Sequence, residues 1–183
     1  MNNDLDNDGK RILVGLFDDK ENAEEAYRTL RDAGYTRDEI NVVMNPETKE
    51  KYYNDDQVVE TDTGNKALEG AGAGGTIGGV VGGIGAAVAA LGSNLIIPGL
   101  GLVVLGPLAA GLAGFGAGGL TGGIIGALVG AGTPKEKAEV YHRGVENGKI
   151  LISVHPHSNE DIINFRNSWH EHNAQEVYPA ATA

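Results

Sequence analysis

The chain contains no cysteine. Disulfides, thiolate metal sites and a cysteine nucleophile are therefore excluded. Basic residues are also scarce. Fourteen Lys and Arg stand against 25 Asp and Glu, giving a formal net charge of -11 and an isoelectric point near 4.8. Phosphate backbones and anionic headgroups are held by clustered Lys and Arg. The charge balance thus disfavours nucleic acid as a partner, and it disfavours docking on anionic lipid through a basic patch. The amino-terminal string MNNDLDNDGK has no apolar run and does not read as a secretory signal. Residues 1–9 read as a disordered, solvated tail.

The most informative absence is local. Between Glu69 and Lys135 no residue carries a charge, and 23 of the 29 glycines lie between Gly70 and Gly132. One chain therefore joins two different materials: charged, ordinary-composition ends and an uncharged, glycine-rich middle.

The two ends share a plan. In the first, Arg11 to Phe17 (RILVGLF) is a short apolar run that predicts a buried strand. Asp18 with Glu21 three residues on predicts a capped helix running to about Ala33. Ala23, Ala26, Tyr27 and Leu30 form its apolar stripe, and Gly34 ends it. Ile40 to Met44 predicts a second strand, stopped at Asn45-Pro46, and the polar stretch 46–66 reads as a loop. In the second end, Lys149 to Val154 predicts a strand, and Ser158 caps a helix from about Asn159 to Asn173 with Ile162, Phe165 and Trp169 inward. Gln175 to Tyr178 makes a short last strand. At an offset of 138 residues Ile12 to Val14 fall on Ile150 to Ile152 and Tyr27 falls on Phe165. Two βαβ units are the plan of a split ferredoxin-like α+β domain, with both helices on one face of the sheet. Before the second unit, Thr133, Pro134 and Glu136 predict another helix start, with Thr133 as N-cap and Ala138, Tyr141 and Val145 inward.

The middle reads as a glycine-zipper helical hairpin. Gly70, Gly74, Gly78 and Gly82 recur every fourth position, Gly75 and Gly79 repeat the pattern one place along, and Gly114, Gly118, Gly122, Gly126 and Gly130 do so again. On helices these form smooth faces of bare backbone. Each interior glycine costs a helix about 1 kcal/mol relative to alanine. Close helix–helix approach is the compensation that only glycine permits. These eleven glycines are the predicted association residues. Residues 70–91 and 107–131 would span roughly 33 and 37 Å as helices, against a bilayer core of about 30 Å, with the segment from Leu95 to Gly106 as the connecting turn. The domain reading is therefore 1–9 tail, 10–66 first half-domain and loop, 67–132 hairpin, and 133–183 linking helix and second half-domain.

Motifs for chemistry are weak. Gly70 to Gly75 matches G-x-G-x-x-G, but no strand precedes it and no acid follows before Glu136, so it predicts no dinucleotide site. His155, His157, His170 and His172 resemble a metal cluster only at first sight. The two pairs lie at opposite ends of one predicted helix, and they read, with His142, as solvated surface histidines. No nucleophile elbow surrounds Ser153, Ser158 or Ser168. The sequence predicts no catalytic residue, no cofactor and no metal.

Taken together the residues resemble a bacterial general stress protein family (17M-like). The matching stretches are Arg11–Asp19, Ile97 to Gly101 (IPGLG), Gly106 to Ala109 (GPLA), and Thr133 to Val154 with Tyr141, Gly144 and Gly148. The resemblance implies a small, non-enzymatic stress-response protein with a split ferredoxin-like domain around a glycine-rich insert. It brings no catalytic residues. The expected function is self-association into a homo-oligomer, attachment to membrane, or both, through the glycine zipper. The expected location is the cytoplasmic membrane with the soluble domain in the cytoplasm, or the cytoplasm alone. Two alternatives are an accessory anchor subunit of a membrane redox complex and a soluble self-assembling structural protein.

Overall fold

The computed structural model describes residues 12–53, 83–91, 96–97, 102–109 and 119–179. Among them run β1 (Leu13–Phe17), α1 (Lys20–Asp32), β2 (Ile40–Met44), α2 (Pro46–Tyr53), α3 (Ile84–Leu91), β3 (Ile96–Ile97), β4 (Leu102–Leu105), α4 (Gly119–Gly130), α5 (Lys135–Glu146), β5 (Ile150–Val154), α6 (Asn159–Glu171) and β6 (Gln175–Tyr178). The fold is α+β. One sheet has the order β3-β4-β2-β5-β1-β6, and every neighbouring pair is antiparallel. Strand β5 lies between β1 and β2, with Leu13 opposite Val154 on one side and Ile40 opposite Val154 on the other.

Strands β1, β2, β4 and β5 are buried at every position, which requires cover on both faces of the sheet. Alternate residues serve the two faces. On the first, Leu13, Phe17, Val42, Ile152, Val103 and Leu105 meet Tyr27 and Leu30 of α1, Phe165 and Trp169 of α6, and Ile84 and Val88 of α3. Trp169 lies edge-on to Phe17, ring centroids 5.7 Å apart, and over Gly15, where a Cβ would come within 2.8 Å of its ring. On the second face Val14, Leu16, Val43, Leu102, Val104 and Leu151 meet Ile124, Ala127 and Leu128 of α4 and Ala138, Tyr141 and Val145 of α5.

Several expectations are corrected. The glycine-rich middle is not a helical hairpin in its described parts. Helix α3 packs on one face of the sheet and α4 on the other, and the expected turn 95–106 holds β3 and β4. The physical reason lies in LVVL, a short apolar run bounded by glycine, which gains a full ladder of hydrogen bonds by adding to β2. Of the second predicted helix, 107–131, the described residues include Leu108 and Ala109, which are helical, and α4 from Gly119 to Gly130. The predicted loop after Asn45 contains α2. The Asn45 carboxamide oxygen accepts from Thr48 N at 2.7 Å, and Pro46 suits a first helical turn. Asp19, not Asp18, caps α1, accepting from Asn22 N at 2.8 Å. Thr133 does not cap α5 with its side chain, because its backbone N–H closes the end of α4 on Leu128 O at 2.8 Å, after Gly132 at φ +105°. Ser158 does cap α6, and its Oγ accepts from Asp161 N at 3.0 Å.

Candidate association face

Helix α4, GLTGGIIGALVG, has no charged residue. A helix of this composition holds its place through one apolar stripe. Ile124, Ala127 and Leu128 are that stripe, 2 %, 6 % and 0 % exposed against the sheet. The other side carries Gly126, Val129 and Gly130. A Cβ built on Gly126 or Gly130 would meet nothing within 4 Å, and Val129 is 43 % exposed. These glycines therefore serve no close approach within the described residues.

Gly144 of α5 is the opposite case. A Cβ there would sit 2.5 Å from Leu16 Cδ1 and 3.0 Å from Leu16 Cδ2, so its bare backbone is what lets α5 lie close on β1. A glycine with a neighbour is explained by that neighbour. A glycine facing open space at about 1 kcal/mol of helix propensity is not.

Beside α4 runs a concavity of about 320 Å³ lined by Ile125, Glu139, His142, Arg143 and Glu146. Glu139, Arg143 and Glu146 share the outer face of α5 at spacings of four and three. His142 is 6 % exposed, a correction to the solvated surface histidine expected there. Its Nε2 lies 3.4 Å from Glu146 Oε1, and its Nδ1 is buried with no hydrogen-bond partner among the described residues. Glu139 lies 4.0 Å from Lys135. Arg143 is exposed and forms no ion pair among the described residues.

The predicted association residues divide accordingly. Gly126 and Gly130 lie on the outer side of α4, and Gly122 lies one turn earlier in the same helix. Gly70, Gly74, Gly75, Gly78, Gly79, Gly82, Gly114 and Gly118 lie outside the described residues, as does the tail 1–9. Ile125, Val129 and the α5 side chains were not expected at such a face. Their signal is the shared helical spacing of Glu139, Arg143 and Glu146.

A second concavity, about 560 Å³, follows α1 between Lys20 and Arg28. Glu24 stands in its wall and binds the start of α3, with Ile84 N donating to Oε2 at 2.8 Å and Gly85 N to Oε1 at 3.1 Å. This is an anionic cap on a helix N-terminus, a structural use of the carboxylate. Tyr53, beneath it, is pushed well above the ordinary phenol range by burial and then by the Glu24 charge.

The most connected polar group lies where α6 begins. Tyr35 is buried; its hydroxyl donates to Asp161 Oδ2 at 2.7 Å and accepts from His157 N at 2.7 Å. The His157 ring stacks on Tyr35 at 4.2 Å, and its Nε2 lies 2.7 Å from Glu39 Oε1. The Thr36 hydroxyl and amide, and then His157, pull the Glu39 carboxyl down to about 2. Burial, followed by the Asp161 bond, pushes Tyr35 up to about 12, so at neutral pH it stays a protonated donor. The cluster ties the loop after α1 to α6. It aligns no nucleophile with a base.

His155 and His157 lie before α6, while His170 and His172 lie at its far end, as the spacing predicted. Among the described residues no group of three His, Asp or Glu is placed to hold a metal ion. Among them, too, no helix is long and apolar enough to cross a membrane. Comparison with family models, with curated protein sequences and with solved structures returns no match to this chain.

Proposed function

We propose that this chain is a non-enzymatic, stress-associated protein that associates with copies of itself through the outward face of α4. The observation that carries self-association is the open space over Gly126 and Gly130 beside half-exposed Val129, on a helix whose other side is fully used by the sheet. Bare backbone at i and i+4 lets a second helix approach closely and bury both apolar flanks. The stress-associated role rests on the family resemblance of the sequence. The same reading takes the domain as ferredoxin-like, since the order β2-β5-β1-β6, with α1 and α6 crossing on one face, interleaves two βαβ units. Its soluble location in this reading is the cytoplasm.

Sedimentation of the wild-type chain and of Gly126→Leu with Gly130→Leu tests the proposal. The wild type sediments as an oligomer, and the double variant as a folded monomer. A monomeric wild type, or a variant that sediments like wild type, overturns it.

A second reading, attachment to a bilayer, is favoured by the uncharged run from Gly70 to Pro134. Against it, the described stretches of α3 and α4 have 8 and 12 residues, and a spanning helix needs about 20. Their apolar sides are also already committed to the sheet. Retention of the chain in membranes through a carbonate wash would decide for this reading.

A further inference from the structure

We infer that the polar rim of the α4 face is self-complementary: Arg143 of one copy pairs with Glu139 and Glu146 of another, and this fixes how two copies meet. The inference rests on the self-association reading and adds its partner chemistry and register.

Two observations carry it. The concavity beside α4 is floored by Ile125 and rimmed by one cation and two anions on a single helix face. Among the described residues Arg143 has no ion pair, Glu139 has only the 4.0 Å approach of Lys135, and Glu146 has only the 3.4 Å approach of His142 Nε2.

A two-fold interface matches one patch with itself. A patch bearing only acids would repel its copy, a risk in a chain of net charge -11. Here the groove offers a guanidinium with no ion pair among the described residues, whose fork of donors suits a carboxylate. Arg143 of each copy then meets the carboxylates of the other, and the contact is made twice. The glycine face of α4 provides close approach, and the rim selects orientation.

Charge exchange tests this. Two full-length variants are compared with wild type by sedimentation equilibrium: Arg143→Glu, with an all-acidic rim, and Glu139→Arg with Glu146→Arg, with an all-basic rim. All three positions are exposed or half-exposed, and circular dichroism checks the fold. Each variant alone weakens association by about tenfold or more, because like charges then face each other. An equimolar mixture recovers association as a heterodimer, since the all-acidic rim of one variant then faces the all-basic rim of the other. Raising salt weakens the wild-type dimer. Folded variants that each associate like wild type, or a mixture that stays monomeric, overturn the ion-pair rim. If Gly126→Leu with Gly130→Leu abolishes association while Arg143→Glu leaves it intact, self-association stands and this inference falls. A monomeric wild type removes both.

Discussion

Gly144 of α5 and Gly126 of α4 both sit in helices on the second face of the sheet, yet they do opposite things. The first points inward onto Leu16, while the second meets nothing within 4 Å among the described residues. Residue identity alone therefore does not say whether a glycine serves the fold of one subunit or a contact beyond it. The direction of the missing Cβ does. The inward glycine repays its conformational cost inside the subunit, through denser packing of α5 on β1. The outward ones gain no such packing among the described residues, and a second copy would supply it.

Substitutions can break or sharpen this contrast. Gly144→Leu has the largest expected effect. The new side chain overlaps Leu16, and stability in urea falls by about 3 kcal/mol. Gly126→Ala with Gly130→Ala has the opposite sign. With open space at both positions, helix propensity raises the stability of the isolated subunit by about 1 kcal/mol, nearly all of it from Gly126, because Gly130 ends the helix. A loss on thermal unfolding of the monomer would mean that the outer face is covered within one chain, and the contrast would collapse.

Glu24→Ala probes the first face in the same way. It removes the carboxylate that receives Ile84 N and Gly85 N, and it lowers stability by about 1 kcal/mol. The same change should leave self-association untouched, because α3 lies across the sheet from α4.

Glu39→Gln is the smallest, at a few tenths of a kcal/mol at neutral pH for so exposed a pair. Glu39 sits at about 2 when folded against an ordinary 4.5, so the unfolded chain binds more protons between those values. Its contribution is present above about pH 4.5 and is lost as pH falls toward 2. The variant's stability should therefore vary less across that window in acid titrations followed by circular dichroism. An unchanged pH profile would remove Glu39 from the clamp on His157.

The legible parts of the fold were those in which each face is spelled out locally. The stripes of α1 and α6, the apolar runs of β1, β2 and β5, and the Ser158 cap all follow from spacing and short-range hydrogen bonds, and all occur. In the glycine-rich middle the described stretches 84–91 and 119–130 are helical as their spacing predicts, but spacing did not say that they would pack on opposite faces of the sheet instead of on each other. The segment from Ile96 to Leu105 carried a strand signal, an apolar run set between Pro98, Gly99 and Gly106. The regular glycines on either side of it suggested a connecting turn instead. Half of the candidate face was also legible: the every-fourth-residue spacing of Gly122, Gly126 and Gly130, and the absence of charge. The contribution of α5 was not, because its outer side chains gain meaning only beside α4.

The sequence by itself determined that charge and glycine would be segregated, that each end would form a strand, a helix and a strand in order, and that α4 would have one bare side. These properties depend on residues a few positions apart. Only the tertiary structure decided that α3 and α4 lie on opposite faces of the sheet, that His142 is buried, and that Gly126 faces outward while Gly144 faces Leu16. The reason is that strand pairing between β4 and β2 spans some sixty residues of chain, and no local pattern encodes which face of a distant sheet a helix will cover.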